Sequence, residues 1–310
     1  MDIDLLSDSN STAWLFPGQG SQVVGMGKTL YDAFSKVRRI YDTADALLGR
    51  SISDLCFNGP ADLLQRTDNA QPALLVTALA HLAALRTTYP GSFDDALFVA
   101  GHSLGEYTAL VASGALSLED ALTLVAERGR LMHEAGSSGG TTTGMSAILS
   151  LPEDALEGVC READVDLANL NAPGQVVISG PLESLERAGH LAKERGAKRV
   201  IPLPVSAAFH SRWMRPMSKS FAQDIERASF HGPRIPVVAN VTARPASRDE
   251  IPNLLVEQTY SSVRWVESVQ YMAEHGVQTF VEIGPGKVLS GLVKRIAPDA
   301  QVLMSDDLLA

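Results

Sequence analysis

Two cysteines in 310 residues, Cys56 and Cys160, are too few and too far apart for a disulfide framework or for a zinc site built on thiolates. Their scarcity fits a reducing cytoplasm, and no metal is expected. Positive charge is also short: 26 Lys and Arg stand against 36 Asp and Glu, a formal net charge of -10. That balance argues against a general affinity for nucleic acid or for an anionic membrane surface. Long hydrophobic runs are missing too. The longest nearly apolar stretch, "PALLVTALAHLAAL" at 72–85, falls short of the roughly 20 residues a spanning helix needs. The first twelve residues, "MDIDLLSDSNST", lack the basic and apolar segments of a signal peptide and read as a short disordered leader.

What is present is 45% apolar residues, enough for a sizeable core, in a length that suggests one large domain plus a smaller one. "TAWLF" at 12–16 reads as a buried strand running into the glycine-rich "PGQGSQ", with a helix from about Lys28 to Leu48 after it. "ALFVA" at 96–100 reads as a second buried strand, and "LGEYTALVASG" as a helix stopped by Gly114. Ser117 with Asp120 opens the next helix in the manner of a capping box, and "GSSGGTTTG" at 136–144 reads as a linker.

Beyond the linker the pattern predicts a strand at 144–150, a helix opened by Pro152, strands near 165–170 and 175–179, a helix near 181–195 and a strand near 198–203. That order, βαββαβ, describes a ferredoxin-like unit. Alternation of strand and helix then resumes with strands at 234–241 and 277–283 and a helix near 265–275. The expected class is α/β, a large domain over 12–138 and 206–310 interrupted by a small α+β domain over 139–205.

Between the second strand and its helix lies "GHSLGEY", a G-x-S-x-G sequence. At a strand-to-helix turn this pattern forms a nucleophile elbow: small flanking residues let the backbone pack closely and the turn pushes the serine hydroxyl outward. Ser103 is the candidate nucleophile, and the N–H of Leu104 is a candidate oxyanion donor. The alternative is an ordinary Gly-Ser turn. A serine needs a base, and histidine suits because its pKa lies near working pH. Seven histidines are available. His102 adjoins the serine, but neighbouring side chains diverge on an elbow, so it is expected to pack or bond locally. His81 reads as a satisfied core histidine; His133, His190, His231 and His275 lie in polar stretches and read as surface residues. His210, in "VSAAFHSRWM", stands where the chain leaves the small domain, and clefts form at such boundaries. It is the candidate base, with a helix-capping histidine as the alternative.

Six segments in order, "FPGQGSQ" (16–22), "GHSLGEY" (101–107), "RGRLM" (128–132), "NAPGQVVISG" (171–180), "AFHS" (208–211) and "GPGKVLSGL" (284–292), resemble the malonyl-CoA:acyl-carrier-protein transacylase family. The resemblance implies an α/β-hydrolase-like large domain with a ferredoxin-like insert and a site between them. It implies Ser103 as acyl carrier and His210 as general base and acid, with the backbone carbonyl of Gln258 orienting the histidine where a hydrolase triad would use a carboxylate. Gln19 and Leu104 would supply the oxyanion N–H groups; "PGQGSQ" lacks the ending that a phosphate-binding P-loop needs.

Arg128 would clamp the free carboxylate of a malonyl group, since a guanidinium can offer it two parallel hydrogen bonds. Phe209 resembles the bulky residue that favours malonyl over its methyl-branched analogue, and Asn171, Gln71 and Met132 resemble pocket-lining positions. The implied partners are malonyl-CoA and an acyl carrier protein, with no metal or redox cofactor, a cytoplasmic location and a monomeric chain. Carrier proteins are typically acidic, so docking to this acidic chain would need a local basic patch, with Lys287, Lys294 and Arg295 as candidates. Fatty-acid synthesis is the expected setting. Polyketide supply in trans and a malonate decarboxylase component use the same chemistry; a serine acylhydrolase would have no reason for Arg128, and a noncatalytic docking component no reason for Ser103 and His210.

Overall fold

The computed structural model describes residues 9–137, 142–205 and 207–310. Residues 1–8 of the twelve-residue leader, residues 138–141 of the linker and the second domain boundary at residue 206 lie outside the described residues. The rest of the expected leader is regular structure, a 3-10 turn at Ser9–Ser11 and the first residue of the strand Thr12–Phe16, and the ends of the expected linker belong to the helix Leu118–Ser137 and the strand Thr143–Leu149.

Strands β1 (Thr12–Phe16), β2 (Phe98–Gly101), β7 (Val237–Val238), β8 (Thr279–Glu282) and β9 (Gln301–Met304) form a parallel sheet in the order β7-β2-β1-β8-β9. All five residues of β1 are buried, and their alternation explains why. Trp14 and Phe16 enter one apolar cluster with Val99 and Val281, whereas Ala13 and Leu15 enter another with Phe98, Ala100 and Phe280. A sheet covered on both faces needs near-continuous apolar strands, and "TAWLF" supplies one. The result is a mixed α/β fold built on a parallel sheet.

Four further strands, β3 (Thr143–Leu149), β4 (Asp166–Ala172), β5 (Gln175–Pro181) and β6 (Arg199–Pro202), form an antiparallel sheet in the order β4-β5-β3-β6. Helices Glu153–Ala163 and Leu182–Glu194 separate β3 from β4 and β5 from β6. Ile148, Val176 and Ile178 pack on these helices, while Met145, Ala168 and Val177 join the main core. The sheet is pinned to the rest of the chain through Val263, whose N–H donates to Ala168 O and whose carbonyl accepts from Leu170 N, both at 2.9 Å.

Two expected elements differ. The single helix from Lys28 to Leu48 is two, Lys28–Ala33 and Ser35–Leu48, because Phe34 adopts an extended backbone (φ -119°, ψ 122°). Arg38 donates to the carbonyls of Tyr31 and Asp32 that the break frees. The strand expected over 234–241 shrinks to Val237–Val238. Pro236 has no N–H to give, and the chain turns at once, with Ala243 N donating to Ala239 O. Among the described residues no helix is long and apolar enough to cross a membrane.

Candidate active site

The elbow follows from how closely its backbone is packed. A Cβ on Gly101 would stand 1.9 Å from the Gly105 carbonyl, and one on Gly105 would stand 2.1 Å from Phe16 O, so neither position accepts a side chain. Between them Ser103 takes φ +53°, a strained value for a residue with a Cβ. Asn240 holds the turn from outside: its Oδ1 accepts from Ser103 N and its Nδ2 donates to Gly101 O, both at 2.7 Å.

Ser103 Oγ lies 2.8 Å from His210 Nε2, and His210 Nδ1 lies 2.8 Å from the backbone oxygen of Gln258. With a carbonyl at Nδ1, that nitrogen carries the proton and Nε2 is left as the acceptor for the serine. His210 also has positive φ, +56°, and its neighbour Phe209 is fixed by Ser179 Oγ donating to Phe209 O at 2.7 Å. Burial and the nearby Arg128 charge push the His210 pKa down to about 3, so the ring is neutral at physiological pH.

Arg128, on the helix Leu118–Ser137, is 1% exposed. Its Nη1 donates to Gln71 Oε1 at 2.7 Å; its Nη2 donates to Gln258 Oε1 at 2.9 Å and to Ser103 Oγ at 3.1 Å. The guanidinium sits 5.6 Å from the Tyr107 ring centre, and its Nε has no hydrogen-bond partner among the described residues. Gln71 is itself anchored by Thr67 Oγ1 and Met132 Sδ. A buried cation bonded only to neutral oxygens is costly to maintain, and a carboxylate is what its unused donor capacity fits.

One cleft between the two sheets gathers these groups. Gln71, Ser103, Arg128, Met132, Phe209 and His210 line it, as do Gln19, Leu104 and Asn171. The backbone N–H groups of Gln19 and Leu104 make no hydrogen bond to any described residue. His102 lines the same cleft but is not the hydrogen-bond partner of the serine. Its Nε2 meets Asn171 Oδ1 at 2.8 Å on β4 and its ring packs on Trp265, so its partners are remote in sequence and not local as expected. His81 is the core histidine expected, bonded to Ser305 Oγ at 2.9 Å. Lys287 and Lys294 are exposed, but Arg295 is committed to Gln175 Oε1 and Pro173 O.

Three features escaped the sequence reading: Asn240, the side chain of Gln258 and the buried Glu106. Gln258 Nε2 donates to Ser103 O at 3.0 Å and to Glu106 Oε2 at 2.8 Å, so its amide ties together the elbow, the arginine and an acid. One sign was available, since Glu106 is the lone acid in the otherwise uncharged helix "GEYTALVA".

Residues 13–303 match the family model described as acyl transferase domain. The Malonyl CoA-acyl carrier protein transacylase of Bacillus subtilis (strain 168) is 47% identical over 290 residues, covering 92% of this chain and 90% of the relative. An acyl carrier protein S-malonyltransferase from Vibrio cholerae superposes with TM-score 0.91 at 39% identity, covering 97% of this chain and 100% of that one. A malonyl-transacylase solved in complex with its type II PKS acyl-carrier protein superposes with TM-score 0.90 at 39% identity, with 95% of each chain covered.

Proposed function

The chain belongs to the acyl transferase family and within it to the malonyl-CoA:acyl-carrier-protein transacylases, and we propose that it moves malonyl groups from coenzyme A to the phosphopantetheine thiol of an acyl carrier protein. The observation that carries this reading is the buried guanidinium of Arg128, 3.1 Å from the hydroxyl of Ser103 and with no carboxylate bonded to it among the described residues. A malonyl thioester brings the carboxylate and presents its carbonyl to the serine together.

In this mechanism neutral His210 takes the Ser103 proton through Nε2 as Oγ attacks the thioester carbonyl. The imidazolium is stabilised by the Gln258 carbonyl at Nδ1, and the N–H groups of Gln19 and Leu104 receive the oxyanion. The tetrahedral intermediate collapses as His210 returns the proton to the departing coenzyme A thiolate, leaving a malonyl ester on Ser103. The carrier thiol then repeats the steps in reverse order. Neither a metal nor a redox cofactor enters. Phe209, Asn171, Gln71 and Met132 shape the acyl pocket.

In the same reading the parallel sheet belongs to an α/β-hydrolase-like unit over 12–138 and 206–310. The strand order β4-β5-β3-β6 with its two helices supports a ferredoxin-like insert over 139–205. The chain acts as a cytoplasmic monomer in fatty-acid synthesis, and Lys287 and Lys294 remain as basic docking candidates. Intact-protein mass measurement after mixing with malonyl-CoA tests the reading: an added malonyl mass on the wild-type chain, absent from Ser103→Ala, is expected. Labelling that survives Ser103→Ala contradicts it.

A further inference from the structure

One buried carboxyl at the site has no part in the chemistry above. Glu106, on the first turn of the helix that follows the elbow, is 3% exposed. Its Oε2 accepts from Gln258 Nε2 at 2.8 Å and from Asn240 N at 3.0 Å. These two donors come from segments more than 130 residues downstream, and each holds a different part of the machinery. Asn240 grips both sides of the elbow through Gly101 O and Ser103 N, and Gln258 orients His210 with its backbone and Arg128 with its side chain.

The orientation of the Gln258 amide follows from its neighbours. Arg128 Nη2 is a donor, so the end that meets it must be oxygen; the opposite end meets Ser103 O and Glu106 Oε2, both acceptors, so it must be nitrogen. Without Glu106 one of the two acceptors that hold the nitrogen in place is gone. The amide is then free to rotate, and a rotated amide would face Arg128 with N–H groups.

We propose that Glu106 is a positioning residue for malonyl selection: by accepting from Gln258 and Asn240 it locks the Gln258 oxygen onto Arg128 and so aims the guanidinium at the acyl group on Ser103. The proposal rests on Arg128 being the malonyl clamp. Burial raises the Glu106 pKa to about 7 against the lowering effect of the Gln258 and Asn240 bonds and the Arg128 charge. The accepting oxygen is present in both protonation states, so the lock persists across neutral pH.

The test compares initial rates of malonyl and acetyl loading onto Ser103, read by intact-protein mass, in the wild-type protein, Glu106→Ala and Glu106→Gln. Acetyl has no carboxylate, so general damage to the elbow slows both substrates alike. Loss of aim slows malonyl selectively. Glu106→Ala is expected to lower the malonyl-to-acetyl ratio about tenfold, the scale of one hydrogen bond made to a charged group. Glu106→Gln, which keeps an accepting oxygen, should hold the ratio within about threefold of wild type. If the alanine variant does not fold, Glu106→Asp carries the same comparison, because it withdraws the oxygen by one methylene and must also depress the ratio. An unchanged ratio in the alanine or aspartate variant, or a glutamine variant as impaired as alanine, overturns the proposal. A wild-type chain that takes no malonyl at all removes the clamp itself; one that takes malonyl with an unchanged variant ratio removes only the role of Glu106.

Discussion

Arg128 and Arg130 stand two residues apart on one helix and live in opposite environments. Arg130, on the outer face, is half exposed and bridges Glu127 and Glu134 of its own helix, at 2.8 and 2.6 Å. Arg128, on the inner face, is fully buried and bonded to two glutamine side chains and a serine. The outer residue has every partner that would make an arginine stable, in the setting where such pairs contribute little. The inner one has no carboxylate hydrogen-bonded to it among the described residues, since Glu106 reaches it only through the Gln258 amide, in the setting where an incompletely paired charge is most costly. The lesson is that a site for an anionic substrate shows itself by what its cation is not bonded to.

The sharpest way to break the comparison is to remove the proposed base, His210, while leaving Arg128 in place. His210→Ala should slow malonyl and acetyl loading together by about 10² to 10⁴-fold, the range for a positioned general base, with their ratio unchanged. Parallel stopped-flow or mass-resolved loading of both thioesters checks this. A variant that slows malonyl alone would make His210 part of the clamp.

The same variant reads the electrostatics. The His210 pKa is depressed from its ordinary value of 6.5 to about 3, so the unfolded chain binds the proton first as pH falls. The stability its neutral form contributes is therefore present above pH 6.5 and is lost progressively toward pH 3. Chemical denaturation at pH 7 and pH 4.5 should show wild type losing about 2 kcal/mol more than His210→Ala over that interval. Glu106, whose pKa is raised to about 7, acts in the opposite direction in both proteins, so the difference between them and not the total loss carries the information. Equal acid sensitivity would mean that His210 is not held neutral.

The smallest effect is expected on the outer face. Arg130→Ala should change stability by less than about 1 kcal/mol and leave both loading rates untouched, as measured by thermal unfolding and the same mass assay. A selective loss of malonyl loading there would place the carboxylate contact on the wrong arginine.

Much of this arrangement was legible in the sequence because it depends on local pattern. "TAWLF" announces a doubly buried strand by having no charged residue and only one polar one, Thr12 at its start, and the glycines of "GHSLGEY" announce a tight turn by leaving no room for a Cβ. The βαββαβ order could be read from periodicity and turn residues alone. The break at Phe34 could not, because Leu30, Phe34, Val37 and Tyr41 keep helical spacing straight through it. Arg128 and Arg130 look alike in "ERGRLMHE", and only the motif resemblance separated them in advance. The Glu106–Gln258–Asn240 network lay beyond reach for a different reason. Its bonds join residues more than 130 positions apart, and no spacing rule spans that distance.

The most direct test of the central claim is a competition on Arg128→Ala. Wild-type and variant chains are mixed with equal malonyl-CoA and acetyl-CoA, and the acyl mass on Ser103 is read before turnover. Wild type should carry malonyl, and the variant should shift toward acetyl by at least about tenfold, the equivalent of the roughly 1.5 to 3 kcal/mol of a charged hydrogen bond. A variant that keeps its malonyl preference would contradict the assignment of the buried guanidinium as the carboxylate clamp.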